Sequence, residues 1–405
     1  MNSKNKMKWF FLCSLIGLMA GVTSTIFLYF LKWATDYRMN HMAIIWCLPL
    51  IGLVIGLLYH HYGSEAARGN NLILEEIHDP KKTIPLRMAP MVLFGTVFTH
   101  LFGGSAGREG TAVQMSASIA DNLGKFFKTE QKERTLLLMA GAGAGFGAAI
   151  GTPLAGMIFG MEVISIGKLH WDSWWECLLA SLVGYFTTQL LRAPHSHYPA
   201  IVIPAFDFKI IFILIIAGIL FGFTALLFSK LTHFIERTSK NYIKTPYFIP
   251  FIVGLIIVGL YFLEGSYLYA GLGIESIQKG LEEIVPFKLP VLKTFFTALT
   301  VGSGFKGGEF IPLVFIGTTL GSALAIFYPA ALSLLSVTGF SAVFAGAANT
   351  PLACSVMAAE IFGWKVFPYA LLTCYLSYFF SGYHGIYRSQ KVHRPKHHFW
   401  KRSFK

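Results

Sequence analysis

Two glutamates stand beside glycine-rich breaks in otherwise apolar sequence. Glu109 lies in Gly103-Gly104-Ser105-Ala106-Gly107-Arg108-Glu109-Gly110, and Glu309 lies in Gly304-Phe305-Lys306-Gly307-Gly308-Glu309. A helix that begins inside a membrane aims its free N–H groups and positive dipole end at whatever lies in front of it. That makes an anion site without a full positive charge. Glycine lets the backbone come close to the ion. Three such starts are visible, at Gly69-Asn70-Asn71, at Gly107-Arg108-Glu109-Gly110 and at Gly307-Gly308-Glu309-Phe310. A carboxylate beside such a helix start can stay ionised, and in a dry site it takes up a proton. One residue can then alternate between a tethered anion that fills the site and a neutral acid that vacates it. That alternation couples proton movement to anion movement. A glutamate that merely caps a helix is the competing reading. It is the favoured one for Glu162 and Glu360, which follow runs of small residues.

The elements that position these residues must be membrane helices. Of the 405 residues, 54% are hydrophobic and 13% charged, against about 25% charged in soluble domains. The mean hydropathy is +0.58. Apolar runs recur at 9–31, 43–59, 88–103, 134–166, 174–191, 209–229, 248–264, 290–302, 311–328, 340–362 and 366–380. Several are shorter than the roughly 20 residues that span a bilayer. Breaks in such helices are tolerated only where the freed backbone faces protein or a wet cavity, so they point to a site.

The chain also repeats itself. Thr152-Pro153-Leu154-Ala155 returns as Thr350-Pro351-Leu352-Ala353, and nine residues after each proline comes a glutamate, Glu162 or Glu360. The two glycine breaks align with Glu109 opposite Glu309, and the helix from Trp9 matches one from near Phe208. The expected architecture is an all-α polytopic membrane protein of two inverted repeats, about 8–195 and 206–390, within one transmembrane domain. A basic tail is expected over 391–405. This is the pattern of transporters whose substrate sits between repeats near the bilayer midplane.

The net charge of +13 is concentrated in tails and loops, at Lys4, Lys6, Lys8, Lys81, Lys82, Lys125, Lys128, Lys132 and from Arg388 to Lys405. Contact with the lipids of the inner leaflet accounts for it, and nucleic-acid binding is not expected. The N-terminal apolar stretch is too long for a signal peptide and reads as the first membrane helix. Cys13, Cys47, Cys177, Cys354 and Cys374 form no CxxC pair, so no disulfide or zinc site is expected. His393-Arg394-Pro395-Lys396-His397-His398 reads as a solvated basic tail rather than a metal site. No cofactor is called for. An intramembrane enzyme using paired acids would need a nucleophile or metal motif. HExxH is absent, and Gly103-Gly104-Ser105-Ala106-Gly107 has the GxSxG spacing but follows an apolar membrane helix rather than the strand a nucleophile elbow requires.

At these residues the sequence resembles the CLC family of chloride channels and anion–proton exchangers, over roughly residues 10 to 390. Gly107-Arg108-Glu109-Gly110 is similar to the family's GREGP motif, with Thr111 in place of proline. The resemblance implies the gating role for Glu109. Gly307-Gly308-Glu309-Phe310-Ile311-Pro312 is similar to the GxFxP motif. It implies that backbone amides near Glu309 and Phe310 line an anion site, with Ile311, Gly107, Arg108 and Gly110 also at it. Tyr387, in Gly385-Ile386-Tyr387-Arg388, stands where the family's central tyrosine closes the inner side. A homodimer with one pore per subunit is implied as well.

The departures indicate a branch. The family's GSGIP motif supplies a serine, whereas the equivalent stretch here is Gly69-Asn70-Asn71-Leu72-Ile73. The inner proton-transfer glutamate of chloride exchangers falls at Val163, and Glu309 is an added acid. Some members carry threonine where Ile311 stands. Together these features resemble the fluoride–proton antiporter branch, CLC-F, which exports cytoplasmic fluoride across the bacterial cytoplasmic membrane. Fluoride is strongly hydrated, and amide donors from Asn70 or Asn71 could replace its lost water. One charge crossing the membrane is worth about 2.3 kcal/mol per 100 mV. One fluoride leaving as one proton enters therefore gains roughly 4.6 kcal/mol per 100 mV. The alternative within the family is a chloride–proton exchanger or a chloride channel.

Overall fold

The computed structural model describes residues 3–204 and 207–396. Eight helices make the first half: α1 (Ser3–Asn40), α2 (Leu48–Tyr62), α3 (Asn70–His78), α4 (Met88–Leu101), α5 (Glu109–Phe126), α6 (Gln131–Ile150), α7 (Pro153–Glu162) and α8 (Trp174–Leu190). Eight more repeat them in order: α9 (Phe208–Tyr242), α10 (Ile249–Glu264), α11 (Ile274–Glu282), α12 (Lys288–Gly302), α13 (Phe310–Leu324), α14 (Leu332–Ala348), α15 (Pro351–Phe362) and α16 (Phe367–Phe380). Among the described residues, six helical stretches are long and apolar enough to cross a membrane. The apolar runs 134–166 and 340–362 each divide in two, at Thr152-Pro153 and Thr350-Pro351. Proline is favoured at the first helical position, where no N–H is needed, and the residue before it is pushed out of helical geometry.

The halves run in opposite senses. Lys8 near the start of α1 pairs with Glu133 near the start of α6 at 3.0 Å. The neighbouring Arg134 donates to Glu76, Asp121 and the Lys82 carbonyl. On the same face, Glu236 near the end of α9 pairs with Arg388 at 2.6 Å. The start of α1 and the end of α9 therefore share one face. It carries Lys81, Lys82, Arg87, Arg388 and Lys391, so the positive-inside rule makes it the cytoplasmic one.

Small residues bring the helices close, as lipid-embedded packing requires. A Cβ on Gly317 of α13 would overlap the Gly339 carbonyl of α14. The halves are tied by a reciprocal device. The Glu162 carboxylate at the end of α7 accepts from the N–H groups of Leu352 and Ala353 at 3.1 and 2.8 Å. The Glu360 carboxylate near the end of α15 accepts from Leu154 and Ala155 at 2.9 and 2.8 Å. Each acid satisfies the free donors at the other repeat's helix start, where the dipole favours negative charge. Both are helix caps, as their sequence setting favoured.

Beyond α16 the chain returns to the centre. Ile386 N donates to Ala347 O at 2.9 Å, and Gln390 Nε2 donates to Val163 O and Ala348 O at 2.7 and 2.8 Å. Two short strands pair in parallel, β1 (Ser165–Ile166) and β2 (Lys391–Val392). The expectation of a solvated tail needs correcting at this point. Lys396 is buried, and its ammonium donates to Tyr378 O at 2.6 Å and Ser381 Oγ at 3.0 Å while lying over the Tyr378 ring. Carbonyls near the end of α16 accept a cation more readily than they are left unpaired. His397 and His398 lie outside the described residues.

Candidate anion and proton site

The site is built where the two glycine breaks meet. Gly107 N donates to Gly308 O at 2.5 Å and Gly308 N donates to Gly107 O at 2.8 Å, an antiparallel bridge between the halves. Side chains are excluded there. A Cβ on Gly107 would stand 2.9 Å from Gly308 O and 3.1 Å from Ile311 N. α5 begins at Glu109 and α13 at Phe310, so the bridge sets two helix N-termini head to head. Their first N–H groups and dipole ends converge on one region, an arrangement of backbone donors suited to an anion.

The bridge also corrects the alignment of the two breaks. Because Gly107 pairs with Gly308 and the following helices start at Glu109 and Phe310, the structural repeat is one residue longer here than the matching of glutamates implies. Glu309 is the counterpart of Arg108, and Phe310 is the counterpart of Glu109. The two acids are not related by the repeat symmetry.

Glu109 is 1% exposed. Its carboxylate accepts from the Arg108 backbone N and from Arg108 Nε, both at 3.2 Å. Arg108 Nη2 donates to Ser196 Oγ at 3.1 Å. The Arg108 side chain reaches an outer cavity of about 450 Å³, shared with Lys32, Asp36, His195 and His197. Glu109 thus lies sealed beneath a guanidinium that faces the outer side.

Glu309 is half-buried and opens to the other side. It lines an inner cavity of about 590 Å³ with Asn70, Asn71, Gln114, Lys306 and Tyr387. The two asparagines differ. Asn71 Oδ1 accepts from Ser389 N at 3.2 Å, which fastens the C-terminal segment to α3. Asn70 Oδ1 is buried without a hydrogen-bond partner in the protein, and Asn70 Nδ2 lies against Gly110 beside the bridge. Phe310 and Ile311 are buried, 2% and 1% exposed. The Phe310 ring packs edge-on to Phe146 and Phe344, which holds it in place at the start of α13. Thr111, where the family motif has proline, shares a hydrogen bond with Thr96 at 2.7 Å.

Val163 is 3% exposed. It borders a gap of only about 10 Å³ that reaches Asn70 and Tyr387 and is walled by Ile73, Val113 and Phe159. That is at the lower limit for a single water, and the lining is apolar.

Three residues at these cavities were missed by sequence reasoning. Lys306 packs its ammonium over the Tyr59 ring at 3.9 Å and lines the inner cavity. Its charge inside an apolar stretch was a readable signal. Gln114, a polar residue within α5, was readable for the same reason. Ser196, in the connection between the halves, belongs to no periodic pattern and gave no signal.

The fold has counterparts among known proteins. The model of the voltage gated chloride channel family matches residues 51–382. The chain is similar to a chloride/fluoride channel protein of Pseudomonas syringae pv. tomato, 45% identical over 403 residues, covering 96% of this chain and 88% of that one. It is also similar to an H⁺/Cl⁻ exchange transporter of Vibrio vulnificus, 24% identical, covering 84% of this chain and 79% of that one. A solved CLC-type fluoride/proton antiporter superposes with a TM-score of 0.93 at 33% identity, covering 97% of this chain and 100% of that one. A slow cyanobacterial Cl⁻/H⁺ antiporter shares the fold with a TM-score of 0.77 at 20% identity, covering 92% of this chain and 94% of that one. Two inverted eight-helix halves, a glycine bridge at their centre and a sealed glutamate behind it accompany these matches: the chain belongs to the voltage gated chloride channel (CLC) family.

Proposed function

We propose that the chain is a transporter, not an enzyme, that exchanges fluoride for protons and so exports fluoride across the cytoplasmic membrane of a bacterium. The observation that carries this reading is one carboxylate, Glu109, sealed between an outer and an inner cavity at the meeting point of two helix N-termini. The 45% identical chloride/fluoride channel protein and the closely superposing fluoride/proton antiporter support the choice of ion.

In this account the anion occupies the region between the starts of α5 and α13, held by backbone N–H groups around Gly107, Gly110, Phe310 and Ile311. Asn70 adds an amide donor, and Tyr387 borders the inner side. A charged Glu109 competes with the anion for the same donors, and a neutral Glu109 releases them. Arg108 holds the charged form on the outer side, and Glu309 holds a proton on the inner side. Fluoride gains most from these donors because it is small and a strong acceptor. The protein works as a homodimer with one pore per subunit.

Purified protein in liposomes, followed with anion-selective electrodes, tests the choice of ion. Fluoride is expected to leave at least about tenfold faster than chloride, a preference of about 1.4 kcal/mol. Equal rates for the two ions would make it a chloride–proton exchanger or a chloride channel of the same family.

A further inference from the structure

The proton must reach the cytoplasmic face, and beside the inner cavity, which serves the anion and also reaches Glu309, the two flanks of the site differ in water content. Toward Val163 the gap is about 10 Å³ and apolar, so no water chain forms there. Toward α9 a cavity of about 140 Å³ joins Glu309 to Asn71, Thr232, His233, Glu236 and Arg388. At about 30 Å³ of liquid volume each, that is room for a few waters. Its lining independently calls for them. Thr232 Oγ1 is buried and has no hydrogen-bond partner in the protein, a condition native structures relieve with water.

We infer that protons pass between Glu309 and the cytoplasm through this cavity, with His233 as the relay and Glu236 at the mouth. The inference rests on the antiport reading above and adds a route and residues to it. His233 is half-buried between the acid and the basic face, with Glu236, Arg388 and His384 around it. A neutral imidazole accepts a proton on one ring nitrogen and gives one up from the other. It can therefore pass protons without holding a net charge in the membrane. Glu236 accepts from Lys240 Nζ at 2.7 Å and Arg388 Nη2 at 2.6 Å, and its side chain is 31% exposed. The balance is simple: one proton enters the water chain at Glu309 as one leaves His233 for the cytoplasm, and no bond other than O–H and N–H changes.

The test uses the full chain in liposomes, with fluoride efflux and proton uptake recorded together. His233→Ala is expected to slow both by about tenfold or more, the usual scale for losing a positioned proton-transfer group. Added imidazole should restore much of the fluoride efflux in His233→Ala and leave the unsubstituted protein unaffected. A merely structural histidine would not be rescued. Full-speed exchange in His233→Ala overturns the route, and so does a slow, well-folded variant that ignores imidazole. If His233→Ala does not survive purification, His233→Gln takes the same readouts and carries the same expectations. Fluoride efflux without proton uptake in the unsubstituted protein would instead overturn the antiport reading itself.

Discussion

The two breaks have the same backbone and opposite side-chain chemistry. Each ends a helix, turns through a glycine with positive φ (Gly103 or Gly304) and starts the next helix after the glycine bridge. At equivalent places the first half sets Arg108 and Glu109, and the second sets Glu309 and Phe310. A cation thus faces the outer cavity where an acid faces the inner one. The acid at the start of α5 is sealed, while its counterpart at the start of α13 is a ring locked in an aromatic cluster. A symmetric scaffold brings two helix ends to one place, and the unequal side chains give that place an inside and an outside.

The comparison breaks most sharply at Glu109. Glu109→Gln removes the titrating group that competes with the anion, and coupled exchange should fall by about 100-fold or more. Coupled exchange persisting in electrode recordings of that variant would remove Glu109 from the mechanism. Glu309→Gln strikes the inner acid alone. Proton uptake should drop by roughly tenfold while fluoride binding measured by calorimetry is retained. Loss of binding as well would make Glu309 part of the anion site rather than of the proton path.

The asparagine pair sharpens the same contrast within α3. Asn70→Ala should lower the preference for fluoride over chloride by about tenfold, the value of one hydrogen bond to a charged partner. Asn71→Ala should leave that preference unchanged, because its side-chain amide is turned to and fastened on Ser389. A flux ratio that moves with Asn71 and not with Asn70 reverses the assignment. The smallest functional effect is expected at the reciprocal caps. Glu360→Gln weakens two charge-assisted hydrogen bonds and should cost about 1–3 kcal/mol of stability. The melting temperature should fall while the protein that remains folded turns over normally. A changed exchange rate with an unchanged melting temperature would give Glu360 a part in transport.

Much of this was readable before any coordinates. The Thr-Pro-Leu-Ala repeat and its trailing glutamates located α7 and α15, because proline and small residues leave few local choices. Gly107 and Gly308 were readable as a place of close approach. The alignment of Glu109 with Glu309 was misleading because two acids in glycine-rich sequence match by type. The true register depends on which glycines pair across the bridge, a contact between halves that no local pattern encodes. The division of labour between Asn70 and Asn71 was hidden for the same reason, since it depends on where Ser389 returns from the far end of the chain. Lys396 in the basic tail shows the limit of composition, which assigns a charge to solvent unless specific acceptors, here the Tyr378 carbonyl and the Ser381 hydroxyl, are seen to receive it.

The central claim is that an anion and a proton exchange past one site. Its most direct test is a recording of fluoride efflux and proton uptake from the same proteoliposomes, with the voltage clamped by a potassium ionophore. The external solution is expected to turn alkaline in step with fluoride appearance, and both signals are expected to stop together in Glu109→Gln. Fluoride leaving with no accompanying proton uptake would contradict it.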